Sequence, residues 1–151
     1  MGKPHRIAAG SLAFRNDAVL LVRYRDDNGG TYLVGPGGAV EDDENIVESI
    51  VRETEEETGI VVRPNRIAIV EDLLCARYKM VKIWMTCAVL GGDIRRTAEA
   101  EKEGIVEAGW FTRAQLVGET VFPRPLMQHD WDSFQRATWE PLCLPTRETR
   151  F

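Results

Sequence analysis

Residues 38–60 read Gly-Ala-Val-Glu-Asp-Asp-Glu-Asn-Ile-Val-Glu-Ser-Ile-Val-Arg-Glu-Thr-Glu-Glu-Glu-Thr-Gly-Ile. The pattern from Asp43 to Thr58 predicts a helix: Asp42 or Asp43 stands where a side chain can accept the free N–H groups of a first turn, and Gly59 supplies a left-handed cap. At about 100° per residue, Glu53, Glu56 and Glu57 share one arc, and Val47, Ile50, Val51, Thr54 and Thr58 occupy the next. Such a helix packs with one face and offers carboxylates on its neighbour. Glu48, Arg52 and Glu55 fill the remaining side, where the i,i+4 pairs Glu48–Arg52 and Arg52–Glu56 hold the arginine as a brace.

Carboxylates at i, i+3 and i+4 repel one another by a few tenths of a kcal/mol per pair, a cost with no structural return unless a cation sits among them. Hard oxygen ligands suit Mg2+, with Mn2+ as a substitute; zinc would call for His or Cys, which this segment lacks. A solvated acidic face explains the same spacing. The loop Gly35-Pro36-Gly37-Gly38, expected to break regular structure, adds a second element. Without side chains at Gly37 and Gly38, the backbone can approach a metal or phosphate and present its own carbonyl or N–H groups.

Gly38, Glu44 and the run Arg52-Glu53-Thr54-Glu55-Glu56-Glu57-Thr58-Gly59-Ile60 resemble the Nudix box, G-x5-E-x7-R-E-U-x-E-E-x-G-U, where U is a bulky aliphatic. Every charged and glycine position agrees; the one departure is Thr54 at an aliphatic place, a β-branched residue that packs similarly. At ordinary usage frequencies a chance match is on the order of 10⁻⁹ per starting position. The resemblance implies an α/β fold, an α/β/α sandwich on a mixed sheet, and hydrolysis of compounds in which a nucleoside diphosphate is joined to another group. It makes Glu56 and Glu57 the principal metal ligands, Glu53 a further ligand or the base that activates water, and the Gly37 carbonyl an additional ligand. Gly37 and Gly38 then also contact substrate, and Glu44 and Arg52 brace the loop and helix. Members of this family often take one more carboxylate from the loop before the last strand. Glu99, Glu101 and Glu103 all stand there; position does not choose among them, and Glu103 is carried as the candidate metal ligand.

Outward from the box, residues 7–14 and 18–24 are apolar runs around the turn Arg15-Asn16-Asp17 and predict a hairpin. The turn Asp26–Gly30 precedes a short strand at 31–34. Further strands are expected at Val61-Val62, Ile67–Cys75, Met80–Leu90 and Ile105–Phe111, with a polar loop at 93–104 between the last two. Thr112 is placed to cap a short turn ending near Val117. Met127, Trp131 and Phe134 at helical spacing predict a second helix over 124–137, and the tail from Pro141 reads as extended or frayed. The whole, residues 1–151, reads as one domain.

The formal charge of −5 argues against a surface that grips nucleic acid, so the expected partner is a small nucleotide held through metal. No stretch has the length of a membrane span or the apolar core of a secretory leader, and the three cysteines form no Cys-x-x-Cys pair, which together point to a reducing, cytoplasmic setting. A homodimer stays open. Phe14, Tyr24, Tyr32 and Trp84 are candidates to stack a base, although strand alternation also explains them as core. Tyr78, beyond the box, is a faint pointer to dinucleoside polyphosphates, and His129 is read as structural. Two competing functions remain: a Nudix-fold module that binds without turnover, and isoprenoid diphosphate isomerisation, which would need a catalytic cysteine that neither Cys75 nor Cys87 supplies in a matching motif.

Overall fold

The computed structural model describes residues 2–149. Strands β1 (His5–Arg15), β2 (Ala18–Arg25), β3 (Thr31–Val34) and β4 (Gly37–Ala39) lead into helix α1 (Ile46–Thr58). Strands β5 (Ile60–Leu74) and β6 (Lys79–Gly92) follow, then the short helix α2 (Ala98–Lys102) and strand β7 (Ile105–Thr112). After β7 the chain forms a 3-10 turn at Ala114–Leu116, strand β8 (Val121–Phe122), a 3-10 turn at Arg124–Met127, helix α3 (Trp131–Phe134), and the two-residue strands β9 (Leu142–Cys143) and β10 (Arg147–Glu148).

The strands form one mixed sheet that curls back on itself at the end of β1. His5–Ala13 of β1 run parallel to β6, Ala8–Gly10 also pair antiparallel with β4, and only Phe14 and Arg15 reach β2. The turn between β1 and β2 is made by Asn16 and Asp17 with φ of 50° and 61°, a left-handed conformation that these two residue types tolerate. Past it, β2 pairs with β3 and β7, so the predicted hairpin is really the corner between two halves of the sheet.

Alternation along β1 serves both faces. Leu12 joins Val19, Leu21, Leu33, Ile69, Trp84 and Phe111 in the core between the halves, which Leu126, Trp131 and Phe134 close. Ala9 and Ala13 point the other way, onto Ile50 of α1. Layers of helix, sheet and helical C-terminal segment result, as the box resemblance implies.

Several local expectations are corrected. Helix α1 starts at Ile46 with Asn45 as its cap, because Asn45 and Glu48 form a reciprocal capping box that Asp42 and Asp43 are too far upstream to make. Its buried face is Ser49, Ile50, Thr54, Glu57 and Thr58, while Val47 is exposed. The segments at 61–62 and 67–75 are one strand, irregular around Pro64, where the imino nitrogen cannot donate to the ladder. Gly37–Ala39 is a strand paired with Ala8–Gly10, and the polar loop contains α2. The helix over 124–137 is two short pieces, since Pro125 opens the first and Asp130 caps the second. Of the two readings of the tail, extended or frayed, residues 141–149 take the first, with β9 and β10 pairing parallel on β5; residues 150 and 151 lie outside the described residues.

Candidate active site

Helix α1 carries the site because its C-terminal half lies against β4 and β1. Glu57 is 1% exposed although acidic, and its Oε2 accepts the Gly37 N–H at 3.2 Å. Its other oxygen, Oε1, is buried with no hydrogen-bond partner. Glu53 lies over Gly38 so closely that a Cβ there would sit 2.5 Å from its Oε1. At Gly37 a Cβ would press on the Ala9 carbonyl and meet the Gly10 Cα at 2.6 Å, so backbone approach demands glycine there, whereas at Gly38 it is the end of the Glu53 side chain that would have to move.

Arg52 organises the acidic side. It donates to Glu44 at 2.6 and 2.9 Å, to Glu56 at 3.0 Å and to Glu53 at 3.2 Å. Those bonds lower Glu44 to about 2 and raise the Arg52 guanidinium, which Glu44 affects most. Burial pushes Glu53 up, partly opposed by Arg52, and pushes Glu57 well up, with the Glu53 charge adding to it. The loop after β6 is fastened to this helix by the Thr97 hydroxyl, which donates to the Glu56 carbonyl and also caps α2. Glu103, at the end of α2, is near enough for its charge to act on both Glu53 and Glu57. Glu101 instead pairs with Arg96 at 2.8 Å.

Among the described residues no three Asp, Glu, His or Cys side chains close into a metal-sized cluster, since Arg52 holds Glu53 and Glu56 to itself. The chemistry of the donors nevertheless fits a hard divalent cation. Glu57 Oε1 is an unspent buried carboxyl oxygen, the charges of Glu53 and Glu103 act on it, and the Gly37 backbone lies beside it.

Beside Gly37 opens a cavity of about 160 Å³ between the halves of the sheet, lined by Tyr24, Tyr32, Trp84 and Phe122 with Glu71, Lys82 and Arg147. Tyr24 and Tyr32 stack with centroids 5.5 Å apart, and Phe122 meets Tyr32 edge-on at 6.0 Å. Trp84 donates its indole N–H to Glu71 at 2.7 Å, Arg147 reaches Glu71 at 3.3 Å, and the Lys82 ammonium lies 4.3 Å from the Trp84 ring centroid. A larger cleft of about 400 Å³ lies by Asn16, Asp17, Arg113 and Trp131 and shares no residue with the carboxylate helix.

This geometry agrees with the comparison to known proteins: the NUDIX domain family model matches residues 4–136. The chain belongs to the Nudix family. It is 30% identical over 138 residues to the mouse protein named 8-oxo-dGDP phosphatase NUDT18, covering 85% of this chain and 39% of that protein. The human protein of the same name is 33% identical over 116 residues, covering 76% of this chain and 32% of the relative. The chain thus spans only 32–39% of these relatives' length. Among solved structures, a Nudix hydrolase from Nitrosomonas europaea superposes with a TM-score of 0.73 at 16% identity, covering 97% of this chain and 81% of that one. An ADP-ribose pyrophosphatase from Streptococcus suis superposes with a TM-score of 0.68 at 20% identity, covering 91% and 98%. At those identities the structures establish the shared fold.

The structure gathers the Nudix-box candidates Gly37, Gly38, Glu44, Arg52, Glu53, Glu56 and Glu57 in one place and brings Glu103, of the three loop glutamates, toward them. Of the aromatic candidates, Tyr24, Tyr32 and Trp84 line the cavity, while Phe14 packs on Trp131 and Phe134 in the core. Tyr78 packs against Arg6, 4.2 Å from the guanidinium to the ring centroid, outside the cavity lining. His129 meets Phe134 and Trp139 edge-on, the structural role expected of it. Glu71, Lys82, Phe122 and Arg147 were not singled out by sequence reasoning. Glu71 and Lys82 did leave a signal, as charges inside the apolar runs 67–75 and 80–90; Phe122 and Arg147 left none. Thr54, the departure from the aliphatic pattern, donates to the Ile50 carbonyl at 2.7 Å and lies 3.0 Å from the Ser11 hydroxyl, so its polar atom is accommodated by a partner on β1.

Proposed function

We propose that this Nudix protein is a divalent-cation-dependent hydrolase of the phosphoanhydride bond in nucleoside diphosphate-linked compounds such as nucleoside di- and triphosphates, nucleotide sugars or dinucleoside polyphosphates. The observation that carries the reading is Glu57: a buried carboxylate anchored by the Gly37 N–H through one oxygen and unspent at the other, beside a base-sized aromatic cavity. That the mouse and human relatives are named 8-oxo-dGDP phosphatase supports the same substrate end.

Glu53, Glu56, Glu57 and the Gly37 backbone, with Glu103 from the loop, would hold Mg2+ or Mn2+. When bound, such an ion neutralises the diphosphate and makes water a stronger nucleophile. The residues do the rest. Gly37 fixes the orientation of Glu57, and Arg52 fixes that of Glu53 and Glu56 while Glu44 locks Arg52 in turn. Glu53, whose carboxyl burial raises, serves either as a further ligand or as the base that takes the proton of the attacking water. Gly38, lacking a side chain, lets the Glu53 carboxylate lie against the loop, and the aromatic cavity receives the nucleoside, orienting the diphosphate along the carboxylate face.

The test is phosphate release from a nucleotide panel with and without Mg2+, with products identified to show which phosphorus is attacked. Turnover that requires the cation is expected; tight binding with silence across the panel would favour a non-catalytic module. Isoprenoid isomerisation is disfavoured by its own requirement: Cys75 and Cys87 are buried in apolar clusters, and burial pushes the Cys87 thiol up to about 12.

A further inference from the structure

Glu71 and Lys82 are direct cross-strand partners on the β5–β6 ladder, and both line the cavity beside Gly37. Residues so opposed have Cβ atoms about 5 Å apart, where Glu and Lys ordinarily close an ion pair. These two do not. Among the described residues Lys82 enters no ion pair and rests 4.3 Å from the Trp84 ring centroid, while Glu71 is occupied by the Trp84 indole at 2.7 Å and by Arg147 at 3.3 Å.

A carboxylate offers about four lone-pair sites, so two of those on Glu71 remain unspent, and the Lys82 ammonium retains its donors. Glu71 is 4% exposed with each oxygen held by one donor, and Lys82 has no carboxylate within ion-pair distance, so a ligand in the cavity meets spare acceptor capacity and an uncommitted ammonium side by side. The cavity volume of about 160 Å³ is below the ~300 Å³ typical of sites for drug-sized ligands, so it suits one flat ring system with the phosphates outside.

We propose that Glu71 and Lys82 read the edge of the substrate's base and select a 6-oxopurine, guanine above all. Lys82 donates to the C6 carbonyl, and Glu71 accepts from N1–H and from the 2-amino group, which together use its two free sites. Hypoxanthine lacks the 2-amino group and leaves one site empty. Adenine reverses the pattern, setting an amino group against Lys82 and a ring lone pair against Glu71, so the cavity rejects it. Arg147, from the C-terminal strand, positions Glu71 for this role. The assignment rests on the proposed hydrolase for the direction of the phosphates but names the base independently.

The experiment uses the full chain and its Glu71→Gln and Lys82→Met variants. It measures kcat and KM for dGDP, dIDP and dADP with Mg2+, together with calorimetric binding of the α,β-methylene diphosphates of guanosine and adenosine, which needs no turnover. Wild type is expected to prefer guanine to hypoxanthine and hypoxanthine to adenine. Each variant is expected to lose about tenfold or more of the guanine-to-adenine ratio, carried by KM and by the calorimetric Kd rather than by kcat. Because Gln still accepts from the Trp84 indole, Glu71→Gln keeps that buried bond and loses only the Arg147 pair, which leaves a folded variant to read if Lys82→Met melts early. Equal binding of guanine and adenine analogues by wild type, or an unchanged ratio in Glu71→Gln, overturns the proposal. Guanine selectivity in binding without turnover would leave it standing and sink the hydrolase instead.

Discussion

The carboxylate helix and the cavity beside it differ in how their residues are spread along the chain. Gly37 to Gly59 is a short continuous stretch in which helical spacing alone sets Glu53, Glu56 and Glu57 on one side. The cavity wall draws Tyr24, Tyr32, Glu71, Lys82, Trp84, Phe122 and Arg147 from six strands, and no two of its polar residues are sequence neighbours. The first region is therefore rigid and self-contained, held by the capping box at Asn45 and the Arg52 clamp. The second exists only once the sheet has curled. Chemistry common to a family belongs on the first kind of region, and selectivity that varies among members belongs on the second.

If that division is right, damage to the helix abolishes turnover, while damage to the cavity redistributes it among substrates. Glu57→Gln is expected to lower kcat by at least about a hundredfold with the circular dichroism spectrum retained. Near-normal activity in both Glu57→Gln and Glu56→Gln would break the assignment of the helix.

Glu44→Gln tests the brace rather than the chemistry. Arg52 holds Glu44 at about 2, below its ordinary 4.5, so the pair's stabilisation is present above pH 4.5 and is lost as the pH falls toward 2. The variant is expected to lose about 1–2 kcal/mol at neutral pH, read from denaturant unfolding, with the gap to wild type closing over that acid range. A gap that does not change with pH would show that the carboxylate charge is irrelevant there.

Arg147→Ala reaches the cavity from the tail. The expected effect is a rise in KM of about three- to tenfold, with kcat little altered, since Glu71 would keep only its bond to Trp84. A fall in kcat with KM unchanged would contradict the division of labour. Smallest of all, Thr54→Val should change stability by no more than about 1 kcal/mol, and Ser11→Ala combined with it should recover part of that, because removing both hydroxyls leaves no buried polar atom unmatched. Additivity in that double-mutant cycle would show that the two hydroxyls do not interact.

How legible each region was follows from range. The Gly59 cap and the acidic arc depend on neighbours three or four residues away and are readable; of the two pairs expected to brace Arg52, Glu56 forms but Glu48 is spent on the Asn45 cap, and the main partner is Glu44, eight residues back. Within the same helix, Ser49 turned out buried and Val47 exposed, because the direction of packing is chosen by the sheet, not by the helix. The short pieces at 124–134 carry the spacing of one helix because Met127, Trp131 and Phe134 all pack on the core, although the backbone between the 3-10 turn and α3 is not helical. Strands β9 and β10 carried no periodic signal at two residues each, and what orders them is the open edge of β5.

By itself the sequence determined the family, the helix that bears the carboxylates, and the glycines that let backbone and Glu53 approach, since these follow from local spacing and from atoms that glycine lacks. The curl of the sheet decided the rest. It set Glu71 opposite Lys82, brought Tyr24 and Tyr32 over them, and delivered Arg147 from the far end of the chain. These are non-local placements fixed by burying the two sheet faces against each other, and no window along the chain contains them.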